Sequence, residues 1–84
     1  MKMNQINYDL LKNKISEIKR MRQETINNYH KLHMSNTRIM WDIFYYANSI
    51  THGFLFNSIH NQNLNDSHIQ TALFKIGKEL NIIE

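Results

Sequence analysis

Proline is absent from this chain, and glycine stands at only two positions, 53 and 77. Strands joined by tight turns need residues that fix φ or accept a positive φ. A chain this poor in both reads as helix throughout. Its 84 residues make one domain, and area scaling implies that folding hides roughly 64% of the unfolded surface. That is a small core with little reserve. No cysteine is present to staple it, which also removes thiol catalysis, cysteine-based zinc sites and iron–sulfur clusters. The expectation is a single all-α domain over residues 1–84.

Charge divides the chain in two. No lysine or arginine occurs between Arg38 and Lys75, a span of 36 residues whose only formal charges are Asp42 and Asp66. Six of the nine aromatic residues fall at 41–56 within it: Trp41, Phe44, Tyr45, Tyr46, Phe54 and Phe56. Residues 1–38 carry eight lysines and arginines against three acids. A basic arm therefore leads into an uncharged aromatic segment.

Hydrophobic periodicity predicts three helices, at about 5–33, 38–60 and 66–82. In the first, Leu11, Ile15, Ile18, Met21, Ile26, Tyr29 and Leu32 recur mostly every three or four residues and form one stripe. A helix of that length would be roughly 43 Å long, so it should project or pair. Arg20 and Glu24, one turn apart, read as a surface pair. Arg22 falls near the centre of the apolar stripe. Its aliphatic stem can pack while the guanidinium snorkels outward, and an ion pair with Asp42 or Glu24 is the sharper alternative. Ser35, Asn36 and Thr37 are good N-cap residues and mark the break before the second helix.

The second helix is apolar on two sides. Ile39, Met40, Ile43, Tyr46, Ala47, Ile50 and Phe54 form one face, while Trp41, Tyr45, His52, Phe56 and Ile59 form the opposite one, with Phe44 and Leu55 beside it. A helix apolar all round must be buried all round. Gly53, read as mid-helix, marks a close approach or a kink. The third helix is the cleanest amphipathic segment, with Ile69, Ala72, Leu73, Ile76, Leu80 and Ile83 on one side. Its cap is either Ser67 with Gln70 as a capping box, or Asn65 with Leu64 and Ile69 as a staple. It covers only about 24 Å of a second helix of about 35 Å. Full coverage within one chain looks short, so an oligomeric helical bundle is expected, a dimer before larger forms.

The chemistry-bearing residues form no recognised active site. His30 and His33 are spaced to share a helix face, but no HExxH or Glu-x-x-His arrangement completes a metal set. The acids are scattered singly, and no nucleophile elbow or phosphate loop occurs, so no catalytic, cofactor or metal residue is assigned and no enzyme activity is expected. Residues 39–59 are long enough to span a bilayer, but Asp42 and several amides interrupt them, and no span is expected. Residues 1–30 alternate charge and apolar groups, which argues against a signal peptide. With cysteine absent, a cytoplasmic setting is expected.

Two function classes remain. The leading expectation is a non-enzymatic helical interaction protein that oligomerises and binds a macromolecular partner to regulate or inhibit it. Trp41, Tyr45, His52, Phe56 and Ile59 are then the interface. Small inhibitors of phages and plasmids and small immunity proteins share this size and style, and twelve asparagines with twelve isoleucines suggest a low-GC genome. The rival is a nucleic-acid-binding accessory protein. Its contacts are Lys12, Lys19, Arg20, Arg22 and His30, of which Lys12, Lys19 and His30 line one flank of the first helix.

Overall fold

The computed structural model describes residues 2–51, 53 and 66–84. Among these residues the chain is all-helical: α1 spans Lys2–Met21, α2 Gln23–Lys31, α3 Asn36–Ile50 and α4 Asp66–Glu79.

The first expected helix is two. The chain bends at Arg22, whose φ of −128° and ψ of 38° leave the helical region. The backbone ladder continues across the bend, because Arg22 N–H donates to Ile18 O at 2.8 Å and Ile26 N–H donates to Arg22 O at 3.0 Å. Its cause lies in the sequence. A guanidinium on the core-facing stripe is costly to bury, and here it exits over the Tyr46 ring, 4.6 Å from the centroid. Nη1 also reaches the Tyr46 hydroxyl at 3.4 Å. Arg22 forms no ion pair with Asp42 or Glu24, and Arg20 and Glu24, separated by the bend, form none with each other; Lys12 pairs with Glu79 and Lys14 with Glu17 instead. The bend replaces a projecting rod with a molecule 38 Å in its longest dimension.

Each described helix end has an identifiable stop. After α2, His33 adopts φ 56°. Its N–H donates to His30 O and Met34 N–H donates to Tyr29 O, both at 3.0 Å. This is a Schellman motif with histidine in the left-handed position. Ser35 then caps α3, its Oγ accepting from Arg38 N–H at 3.2 Å. The reversal falls where the cap residues predicted it, and α3 starts two residues earlier than expected.

α3 ends at Ile50, well short of the expected residue 60. The Thr51 hydroxyl turns back onto the carbonyls of Ala47 and Asn48, at 3.0 and 3.1 Å. Gly53 follows at φ 83°, with its N–H on Asn48 O at 2.8 Å. Gly53 is therefore a terminator rather than a mid-helix contact, and none of the described residues lies within 4 Å of where its Cβ would be. His52, Phe56 and Ile59, expected on the second face, lie outside the described residues.

α4 begins at Asp66, which puts its cap at residue 65, also outside them. Ser67 lies inside the helix, its carbonyl accepting from the Thr71 hydroxyl at 3.0 Å. Gln70 accepts from Trp41 instead of closing a capping box. The helix stops at Glu79 rather than 82. Asn81, at φ 58°, forms a second Schellman motif: its N–H donates to Lys78 O at 3.2 Å and Ile82 N–H donates to Gly77 O at 2.8 Å.

α1 and α4 run parallel, with Lys75 over the Tyr8 ring and Lys12 paired to Glu79 one turn further along both. α3 runs back between them after the reversal. The core is aliphatic: Leu11, Ile15 and Ile18 of α1, Ile26 of α2, Ile39 to Ala47 on one face of α3, Ile69, Leu73 and Ile76 of α4, and the returning Ile82 and Ile83. No polar side chain among the described residues is buried. Phe44, expected beside the outer face, is completely buried, whereas Met21 and Leu32, expected in the stripe, are 67% and 73% exposed. Gly77 makes the close approach expected of Gly53: a Cβ there would lie 2.7 Å from Met40 Sδ and 2.9 Å from Ile83 Cγ1.

Candidate interaction faces

Three of the five expected anion-contact residues point at the end of α4. Lys12 Nζ lies 3.6 Å from Glu79, Lys19 Nζ donates to Leu80 O at 2.6 Å, and His30 Nε2 donates to Ile82 O at 2.8 Å. The helical flank seen in the sequence exists, and the carboxyl end of α4 lies along it. A helix end presents unpaired carbonyls and a partial negative charge, so cations placed there stabilise it. Arg22 is engaged by Tyr46. Arg20 alone of the five is exposed with no hydrogen-bond or ion-pair partner among the described residues.

Tyr8 tightens the same end. Its hydroxyl donates to Glu79. Burial first, then this hydrogen bond and the carboxylate's charge, push the Tyr8 phenol up to about 12. In return the hydrogen bond from Tyr8, followed by the charges of Lys12 and Lys75, holds the Glu79 carboxyl below its usual range.

A polar cluster sits inside the bend. Arg22, Thr25, Tyr29, Asp42 and Tyr46 border a recess of about 50 Å³ between α2 and α3. Burial raises the Tyr29 pKa, with the hydrogen bond and charge of Asp42 adding and Arg22 opposing. The recess is several-fold smaller than pockets that take metabolites. Its one cation, Arg22, is stacked on Tyr46. His33 sits in the left-handed turn beyond α2 and His30 on Ile82, so the two do not share a helix face. Among the described residues no three His, Cys, Asp or Glu side chains are placed to hold a metal. No described helix is long and apolar enough to cross a membrane.

The outer face of α3 keeps two of its five expected members in the described residues. Trp41 is half-buried; its indole N–H donates to Gln70 of α4 at 3.1 Å, and its ring meets Phe44 edge-on at 5.7 Å. Tyr45, one turn on, tilts against Trp41 at 5.7 Å and is 56% exposed. Tyr45 lies opposite the core-facing Ile43 and Ala47, with Arg38, Asp42 and Ser49 around it on the exposed side. The sequence offered no sign of Tyr46 as the partner of Arg22. It did carry one for the second Schellman motif, an asparagine just after the last turn of α4.

No family model, no curated protein and no solved structure matches this chain.

Proposed function

We propose that this protein is a non-enzymatic helical interaction module that associates with itself and binds another protein through the outer face of α3, regulating or inhibiting it. The observation that carries the reading is Tyr45: a large aromatic side chain, more than half exposed, held against Trp41 on a helix with no cation after Arg38. Aromatic side chains braced by a neighbour and open to solvent are the usual anchors of protein interfaces. The nucleic-acid alternative draws on the net charge of +3 and on Arg20. It is the weaker reading because Lys12, Lys19 and His30 already meet the end of α4.

The test is affinity capture from an extract of the native host, with the full chain and with Tyr45→Glu as baits. A protein retained by the wild type and lost with Tyr45→Glu, while circular dichroism of the variant is unchanged, supports the proposal. Equal capture by both baits contradicts it.

A further inference from the structure

The two most exposed apolar side chains among the described residues are Met21 and Leu32, the last residue of α1 and the residue that follows α2. Exposed Asn28 and half-buried Thr25, the latter also at the edge of the recess between α2 and α3, lie between them, giving steps of four, three and four residues. That is the spacing of a seam on which one helix packs against another. The side of α2 that carries them is turned away from the buried Ile26. Met21, Glu24 and Thr25 are among the six consecutive residues, 20–25, that border an open recess of about 330 Å³ beside the bend.

Charge identifies the occupant. Glu24 lies in the first turn of α2 and Lys31 in the last, each one residue before a seam position. Both are exposed, and neither has a hydrogen-bond or ion-pair partner among the described residues. An acid at one end and a base at the other make this edge self-complementary when a second copy runs the opposite way. A two-fold axis between Thr25 and Asn28 sets Met21 against Leu32 of the second copy, Thr25 against Asn28, and Glu24 against Lys31, each pair occurring twice. A parallel pairing would set like ends together.

We propose that the exposed side of α2 is the contact between two copies of this chain, docked antiparallel, with the recess beside Met21 receiving Leu32 of the second copy. This rests on the self-association proposed above and gives it a place, separate from the Tyr45 face. Glu24 and Lys31 also suit the dipole of their own helix, and the two roles are compatible. Four seam side chains per copy make a small interface, so the dimer is weak, with a Kd of roughly 0.1 mM.

The test is sedimentation equilibrium of the full chain from about 10 µM to about 1 mM, a range chosen to bracket that affinity. The variants are Leu32→Asp, Glu24→Lys, Lys31→Glu, the double Glu24→Lys/Lys31→Glu, and Tyr45→Glu. Dimerisation should be abolished by Leu32→Asp. Each single charge reversal should weaken it about tenfold, and the double reversal should restore it to within about threefold. Tyr45→Glu should leave it unchanged. A wild type that stays monomeric throughout overturns the inference. So does a dimer indifferent to Leu32 and to the charge reversals, and one lost with Tyr45→Glu alone places self-association on α3. Capture of another protein through Tyr45 stands or falls separately.

Discussion

The two glycines do different work, and only the structure tells them apart. Gly53 supplies a backbone conformation with φ 83°. Gly77 supplies room in an ordinary helix, where α3 and the returning Ile83 crowd in. Replacing Gly77 by alanine should gain up to about 1 kcal/mol in helix propensity but drive a methyl into Met40 and Ile83, at a cost of about 1–3 kcal/mol. We predict a net loss, read as a lower urea midpoint; an unchanged midpoint would show that the contact yields. Titration gives a second prediction at this scale. The Glu79 pKa lies below its usual 4.5, so folding favours the ionised carboxylate. That stability is present above about pH 4.5 and is lost as pH falls through the lower, folded value. Thermal unfolding at pH 6 and pH 3 should therefore show a larger drop for the wild type than for Glu79→Gln. Equal drops would mean that the Tyr8 hydrogen bond leaves stability unaffected. The raised Tyr8 pKa works at the other end: its share is complete below pH 10 and is lost as pH rises toward about 12.

Among the elements, α4 and its flank carry the main lesson. Periodicity grouped Lys12, Lys19 and His30, which from α1 and α2 all meet the end of α4, and it placed Ile69, Leu73 and Ile76 in the core. What it could not supply was the pairing of these features, because a pattern within one segment does not say which segment it faces. A basic stripe and the carboxyl end of a helix are electrostatic complements, yet far apart in sequence they read as unrelated surfaces. We predict that Lys19→Ala lowers stability by about 1–2 kcal/mol, since a charge-assisted bond to a carbonyl at a helix end is lost. Lys31→Ala, on an exposed position, should stay within about 0.5 kcal/mol. Urea unfolding of the two variants distinguishes this from a solvated stripe, for which both changes would be equally small. The expected helix over 5–33 failed for a related reason. Its seven apolar positions fit one stripe, but Arg22 lies on the same stripe. The energy of placing a guanidinium there outweighs straightness once Tyr46 is available to stack on.

For the whole molecule, the charge division seen in the sequence becomes a division of tasks. The uncharged stretch after Arg38 contributes Ile39, Met40, Ile43 and Phe44 to the core, and it leaves Tyr45 and Trp41 outward as the proposed partner face. The proposed seam along α2 is a second face, built on Met21 and Leu32, whose spacing fits the core stripe but whose side chains are exposed. The basic arm turns two of its cations, Lys12 and Lys19, onto the end of α4. That use of charge within the chain favours the proposed protein-binding module over a nucleic-acid-binding one. The most direct measurement is a titration of labelled random DNA and RNA with the full chain at about 50 mM salt. Non-specific binders typically show Kd values of about 10⁻⁴–10⁻⁶ M even at physiological salt. We predict no saturable binding in that range. Micromolar binding that weakens steeply with salt and disappears when Lys12, Lys19 and Arg20 are changed would contradict it.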